Sequence, residues 1–217
     1  SGILAVSIPW FFQSTWPVLL LCAISLAGLL AMRHLRCLKQ NIGRVVGEVK
    51  RESSGDIYFP LTIAILFFLA EGDPLFYCIP IMILTFADAA AALVGIHYGV
   101  LHFETPEGVK TIEGSLAFFV VAFFCAYLPM LLFSDFGSNE ILLTAVLLAF
   151  LLMNVEAAAG WKGLDNLLIP VVGFFVLKGL IHCTLTELIS QTAITLSLFI
   201  SFMLLRLRIR FRSRALV

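Results

Sequence analysis

Charged residues are scarce in this sequence. Asp, Glu, Lys and Arg together make up 13% of the 217 residues, whereas hydrophobic residues make up 61%, and the mean hydropathy is +1.04. Soluble domains carry about 25% charged and about 45–50% apolar residues. The composition therefore excludes an ordinary soluble domain and predicts an all-α bundle of transmembrane helices.

Several familiar signatures are also missing. The sequence has no GxGxxG and no GxxxxGK[ST] motif, so neither a dinucleotide-binding fold nor a P-loop is indicated. No internal repeat is evident. The five cysteines form no CxxC pair, which argues against a zinc site or a disulfide framework and favours small packing residues; they are Cys22, Cys37, Cys78, Cys125 and Cys183.

Long apolar runs occupy most of the chain. A span needs roughly 20 apolar residues, and we predict seven: 16–32, 57–71, 74–96, 112–133, 141–158, 166–184 and 187–205. The sequence starts without a methionine, and we interpret the short apolar stretch 3–12 as the remnant of a further span. The whole chain, 1–217, is predicted to form one integral membrane domain.

The positive charges predict the orientation of these spans. Seven spans bring 33–56, 97–111, 159–165 and 206–217 to one side, and these segments hold 13 of the 14 Lys and Arg residues. Only Lys178 lies elsewhere. The positive-inside rule makes this side cytoplasmic. The arginine-rich tail is expected to bind anionic lipid headgroups, and no nucleic-acid partner is expected.

One carboxylate lies within an otherwise apolar segment. In a helix Asp88, Ala91, Ala92, Gly95 and Gly99 share one face, so the acid stands beside small residues only. Charged groups at membrane depth are costly and by default mark function. This face is open either to a ligand or to a neighbouring helix, since small residues are also common at helix contacts in membranes.

Four polar clusters are predicted to meet on the cytoplasmic side. They are residues 51–56, Asp88, residues 110–115, and Glu156 with residues 162–166. Carboxylates bind Mg²⁺, while lysines and backbone N–H groups bind phosphate oxygens. Lys110, Thr111 and Ser115 lie around a predicted helix start, where the free N–H groups favour an anion. Together the clusters predict a site for a metal-bound phosphate.

The order of these motifs resembles that of the polyprenol kinase family, which includes dolichol kinase and phytol kinase. The resemblance covers about residues 50–175 and rests on four motifs: Asp88-x-x-Ala91-x-x-x-Gly95-x-x-x-Gly99, Lys110-Thr111-x-Glu113-Gly114-Ser115, Glu156 followed by Lys162-Gly163-x-Asp165-Asn166, and residues 51–60 upstream. The basic segment with a histidine that the family carries before its first span is absent here.

The resemblance implies a membrane kinase with its site on the cytoplasmic side. Such an enzyme transfers the γ-phosphate of CTP, or of another nucleoside triphosphate, with Mg²⁺ to an isoprenoid alcohol such as phytol, farnesol, geranylgeraniol or a polyprenol such as dolichol. The implied nucleotide-binding residues are Arg51, Lys110, Thr111, Gly114, Ser115, Lys162 and Asn166. The implied catalytic residues are Asp88, Glu113 and Glu156, and the implied metal ligands are Asp88, Glu113 and Asp165. The face formed by Ala91, Ala92, Gly95 and Gly99 would admit the isoprenoid chain.

Two points stay open at the level of sequence. Asp88 is compatible with a metal ligand and with a general base for the alcohol. Alternative functions are a lipid enzyme resembling phosphatidate cytidylyltransferase or diacylglycerol kinase, and an ion-coupled transporter. The longer acidic and His-Gly-Gly signature of the cytidylyltransferases is missing, and so are the paired broken helices that a transporter repeats in its two halves.

Overall fold

A computed structural model describes residues 2–12, 14–34, 55–105, 108–158 and 163–214, and these residues are almost entirely helical. The elements in chain order are α1 (Gly2–Phe11), α2 (Thr15–His34), α3 (Gly55–Leu69), α4 (Pro74–Met82), a π-helical segment (Ile83–Ala87), α5 (Asp88–Tyr98), strands β1 (His102–Thr105) and β2 (Gly108–Thr111), α6 (Ile112–Phe133), α7 (Ser138–Ala158), α8 (Asp165–Leu180) and α9 (Leu185–Arg214).

Every predicted span falls on a helix, but the count of seven is not confirmed. Five helices are long and apolar enough to cross a membrane: α2, the continuous run Pro74–Tyr98, α6, α7 and the first part of α9. Helix α3 has 15 residues and α8 has 16, so each reaches roughly 22–24 Å at 1.5 Å per residue, short of a hydrocarbon core of about 30 Å. The chain is an all-α membrane protein with five candidate spans.

Local sequence explains where the helices begin. Glu71 and Gly72 adopt φ values of 50° and 90°, which turn the chain sharply after α3. The Asp73 side chain then accepts a hydrogen bond from the Leu75 N–H at 2.8 Å, and Pro74 opens α4. Residues 71–74 therefore form a tight turn between α3 and α4.

The core centres on the antiparallel pair of α6 and α7. Phe118, Ala122, Leu148 and Leu152 are buried within one large cluster, to which the π-helical segment contributes Ile83. A second cluster joins α1, α2, α3, α4 and α8. Large apolar side chains are exposed elsewhere on the bundle. This is expected of a surface that contacts lipid, because the hydrocarbon chains of a bilayer solvate apolar groups.

Two predicted boundaries are corrected by the structure. Residues 97–111 were expected to form a loop, but β1 and β2 pair as an antiparallel hairpin in which Phe103 lies opposite Lys110. The last helix continues to Arg214, beyond the predicted end at 205. An apolar run predicts only the part of a helix that lies in the membrane. It could not indicate that the last helix continues into the polar tail.

The short apolar stretch at the N-terminus forms helix α1, which packs against α4 within the bundle. Its first described residue, Gly2, lies directly against the side chain of Thr85, so that a Cβ atom at this position would clash. The four cysteines in the described part of the chain, Cys22, Cys78, Cys125 and Cys183, are free thiols; Cys37 lies outside the described residues.

Candidate functional site

One end of the bundle gathers most of the predicted site. Helix α5 ends there, the β1–β2 hairpin follows, and α6 begins directly after β2. Helix α7 runs antiparallel to α6 and brings its last turns back to the same end, where α8 then starts. We call this the hairpin end. The topology thus brings the Lys110 cluster and the Glu156 cluster to one place.

Lys110 and Glu156 form the central contact of the hairpin end. The Lys110 ammonium donates to Glu156 Oε1 at 2.6 Å and to the Glu156 backbone oxygen at 2.5 Å. The Glu156 side chain is only 8% exposed and that of Lys110 is 20% exposed. An ammonium has three N–H donors, so two are used by Glu156 and one remains for another acceptor.

Among the residues that the structure describes at this end, two buried oxygens have no hydrogen-bond partner: Glu156 Oε2 and Ser115 Oγ. Ser115 lies in the second turn of α6. The helices α6 and α7 are antiparallel, and these two residues lie at the same number of positions from the loop that joins them. Both therefore lie at the hairpin end of the helix pair. Buried polar groups are nearly always hydrogen-bonded, so these atoms are suited to bind a ligand.

Thr111 fixes the start of α6. It is the N-cap residue, and its hydroxyl accepts a hydrogen bond from the Gly114 N–H at 3.1 Å. This is the helix start that the sequence predicted at the Lys-Thr-x-Glu-Gly-Ser motif. The Thr111 side chain is buried, so its hydroxyl is committed to the helix itself, and the nucleotide-binding role of Thr111 stays a prediction.

The small-residue face of α5 is in contact with this helix start. A Cβ atom at Gly95 would lie 3.0 Å from Thr111 Oγ1, and one at Gly114 would lie 2.9 Å from the backbone oxygen of Ala91. Gly99 also abuts Thr111. Helix packing, the alternative left open by the sequence, therefore accounts for three of the small residues. Their role in binding an isoprenoid chain stays a prediction, and of the set only Ala92 is exposed.

Asp88 stands at a change of helix type. The π-helical segment Ile83–Ala87 ends immediately before it, and Asp88 is the first residue of α5. It lies one turn before Ala91, farther from the hairpin, and its side chain is half-buried. Single π turns within α-helices occur frequently at functional sites. Nothing in the apolar pattern of the sequence predicted this segment.

The other predicted carboxylates are engaged with nearby backbone. Glu113 accepts hydrogen bonds from the Leu101 N–H at 3.1 and 3.3 Å, which ties the end of the α5–β1 connection to α6. Asp165 accepts from the Asn166 N–H at 2.9 Å. The catalytic and metal-binding roles of Glu113 and Asp165 stay predictions.

A three-residue metal centre is not found in the described part of the chain. No three His, Cys, Asp or Glu side chains there lie close enough together to hold an ion, so Asp88, Glu113 and Asp165 are not gathered into one group. A nucleotide-bound Mg²⁺ needs only one or two carboxylates besides phosphate oxygens, and the unpartnered Glu156 Oε2 meets that need. Arg51 and Lys162 lie outside the described residues.

The backbone of Asn166 is held by a contact that the sequence did not predict. The Thr62 hydroxyl, fully buried in α3, donates to the Asn166 backbone oxygen at 2.8 Å. This bond fixes the first turn of α8 against α3. The contribution of Thr62 could have been suspected only from its polar side chain within an apolar run.

Comparison with known proteins shows a similarity to a phytol kinase. The chain is 30% identical over 126 residues to a phytol kinase from Synechocystis sp., and this match covers 57% of the chain. It covers 53% of the relative, so the chain spans about half the length of the curated protein it matches. No family model matches the sequence, and no solved structure matches it.

Proposed function

We propose that this protein is a membrane kinase that transfers the γ-phosphate of CTP, or of another nucleoside triphosphate, to the hydroxyl of an isoprenoid lipid alcohol. The observation that carries the proposal is the ion pair between Lys110 and the buried Glu156 beside the start of α6. Similarity to a phytol kinase over 126 residues supports the same class of reaction.

The Lys110–Glu156 pair suits phosphoryl transfer because this chemistry depends mainly on positioning and on charge stabilisation. Lys110 retains one unused N–H donor for a phosphate oxygen. The positive dipole end of α6 lies next to it and favours an anion, while the Ile112 and Gly114 N–H groups are themselves bonded to Leu101 and Thr111. Glu156 Oε2 and Ser115 Oγ offer two further oxygens, and Mg²⁺ would neutralise the charge that develops on the phosphate.

In the proposed reaction the oxygen of the alcohol forms a bond to the γ-phosphorus. The bond between that phosphorus and the bridging oxygen breaks, and the nucleoside diphosphate leaves. The proton of the alcohol passes to a carboxylate. We assign this proton to Asp88, because Glu156 already binds a lysine through Oε1 and because Asp88 lies deeper in the bundle, where a lipid alcohol would present its hydroxyl.

The test is a transfer assay on the purified protein. It is incubated with Mg²⁺, γ-labelled CTP or ATP, and separately phytol, farnesol, geranylgeraniol, a polyprenol or diacylglycerol. We expect labelled phosphate on an isoprenoid alcohol together with nucleoside diphosphate. Label on diacylglycerol alone, release of pyrophosphate, or no transfer to any alcohol would refute the proposal.

A matched pair of lysine variants makes the assay specific. Lys110→Ala should abolish most of the transfer. Lys178→Ala should not, because Lys178 lies in the last turn of α8, away from the hairpin end, and its ammonium sits 5.6 Å from the centre of the Phe174 ring. Equal loss of activity in both variants would point to general damage to the bundle.

A further inference from the structure

Three buried side-chain oxygens in the described part of the chain have no hydrogen-bond partner: Thr85 Oγ1, Ser115 Oγ and Glu156 Oε2. Such atoms are costly to bury, so each one points to a group that the folded chain alone does not supply. Thr85 lies in the π-helical segment. Ser115 and Glu156 lie at the hairpin end, near the start of α6 and near the end of the antiparallel α7.

The chemistry of the two hairpin-end atoms is that of a hard cation site. A carboxylate oxygen and a hydroxyl oxygen are ligands that Mg²⁺ accepts, and Mg²⁺ usually takes one or two carboxylates and completes its shell with water and phosphate oxygens. Lys110 binds Glu156 Oε1 and the backbone oxygen, and so leaves Oε2 to a different partner.

The charge of Lys110 restricts how such a cation can arrive. The Lys110–Glu156 pair has no net charge, so a free divalent cation gains little from it and is repelled by the ammonium at short range. A cation already bound to a nucleoside triphosphate brings anionic oxygens with it. One of these oxygens can accept a hydrogen bond from the remaining Lys110 N–H while the cation binds Glu156 Oε2.

We propose that Ser115 and Glu156 bind a divalent cation that arrives on a nucleoside triphosphate, and that the pair binds a free cation only weakly. The proposal rests on the proposed function for its nucleotide. It makes Glu156, a catalytic residue by the resemblance, a metal ligand, and it adds Ser115 as the second protein ligand.

The experiment is equilibrium dialysis of Mn²⁺ against the purified full chain, with and without CTP or ATP and without any alcohol. We expect little Mn²⁺ retention alone and clear retention with nucleotide. Glu156→Gln keeps the side-chain volume and an acceptor for Lys110 but removes the anionic oxygen. It should weaken Mn²⁺ retention by roughly tenfold or more, since loss of an outer-shell partner of a metal site already costs about that much.

Ser115→Ala provides a second variant in case Glu156→Gln does not fold. It removes a hydroxyl that makes no hydrogen bond to any described residue, so thermal stability without ligand should stay equal or rise while Mn²⁺–nucleotide retention falls several-fold. Thr85→Val is the matched control. It removes the other unpartnered hydroxyl of the described residues, and it should leave retention unchanged.

The outcomes separate this inference from the kinase proposal. Retention equal to wild type in both Ser115→Ala and Glu156→Gln would overturn the inference, even if the wild-type protein phosphorylates an alcohol. Strong Mn²⁺ binding without nucleotide would overturn it as well. Nucleotide-dependent retention that needs Glu156, in a protein that transfers no phosphate, would support the inference and refute the kinase proposal.

Discussion

The hydroxyl of Tyr77 donates a hydrogen bond at 2.9 Å to the backbone oxygen of Ala5, 72 residues earlier in the chain. Both residues are buried. Within α1, the Ala5 oxygen would normally accept from the N–H four residues on, but that residue is Pro9, which has no N–H. In a membrane such a freed carbonyl must find another donor, and Tyr77 supplies it.

We predict that Tyr77→Phe destabilises the protein because it leaves the Ala5 oxygen unpaired. The loss should lie between about 0.6 and about 1.7 kcal/mol, the average and the maximum measured for hydrogen bonds between helices in a membrane protein. In a Pro9→Ala background the loss should be smaller, since the alanine N–H can bond to Ala5. A double-mutant cycle of unfolding free energies measures both, and identical losses in the two backgrounds would contradict this account.

The same arrangement recurs at α8. Pro170 removes the N–H that would bond to the Asn166 oxygen four residues earlier, and the Thr62 hydroxyl replaces it at 2.8 Å. Two prolines thus create backbone acceptors that only another helix can satisfy. This specifies which helices are neighbours, because a different pairing would leave a carbonyl unpaired in an apolar environment.

The contact between α5 and α6 should not tolerate a methyl group. We predict that Gly114→Ala lowers the free energy of unfolding by about 1–3 kcal/mol, the usual cost of overpacking, because its Cβ would lie 2.9 Å from the Ala91 backbone oxygen. Gly28→Ala is the control, since nothing lies within 4 Å of a Cβ there. Chemical unfolding of both variants tests this, and a Gly114→Ala protein as stable as Gly28→Ala would disprove it.

Substituting Lys110 and Glu156 together should restore the free energy of unfolding that the single Lys110 variant loses, but it should not restore nucleotide affinity. Lys110→Met leaves the Glu156 carboxylate buried without its cation, and we expect a loss of up to about 3 kcal/mol. The double variant Lys110→Met with Glu156→Gln should recover most of that loss. Nucleotide affinity should stay low in both variants, whereas lipid binding should be little changed.

Lys110→Arg should restore nucleotide affinity only in part, because a guanidinium has a different shape and donor geometry from an ammonium. Calorimetric or fluorescence titration with nucleotide, on samples of known folded fraction, provides the measurement. Wild-type nucleotide affinity in Lys110→Met would show that the lysine has only a structural role.

Asp88→Asn should reduce turnover by at least roughly a hundredfold, the lower scale for losing a general base. The substitution keeps the side-chain volume, and an amide is less costly than a carboxylate within a membrane bundle. Thermal stability should therefore stay equal or rise. Turnover per folded molecule and melting temperature are measured on one preparation. A destabilised variant with near-normal turnover would remove Asp88 from the active site.

The sidedness of the bundle is open to direct measurement. Ser138 begins α7, at the end opposite the hairpin, and is exposed. A single cysteine at this position, in a cysteine-free background, should be labelled by a membrane-impermeant thiol reagent from the non-cytoplasmic side only. Labelling from the cytoplasmic side in sealed vesicles would invert the orientation that the positive charges predict.

The candidate site was predictable in outline because its motifs are local. A cap residue such as Thr111 is specified by its neighbours within one helical turn, and the lysine beside it is fixed by the same turn. The pairing of Lys110 with Glu156 was not predictable, since it joins residues 46 positions apart through the register of α6 against α7. The engagement of Glu113 with Leu101 likewise depends on a hairpin that an apolar pattern cannot indicate.

The amino-acid sequence alone specifies a helical membrane protein, because backbone polar groups in a bilayer must be hydrogen-bonded within the protein and a helix achieves this along a single apolar run. It also determined where the polar clusters lie along the chain. Tertiary structure decided which polar atoms are satisfied and which are not. The small face of α5 became a helix contact because Thr111 and Gly114 fill it. Among the described residues, Glu156 Oε2 and Ser115 Oγ were left without a hydrogen-bond partner, an outcome of helix packing that no local pattern encodes.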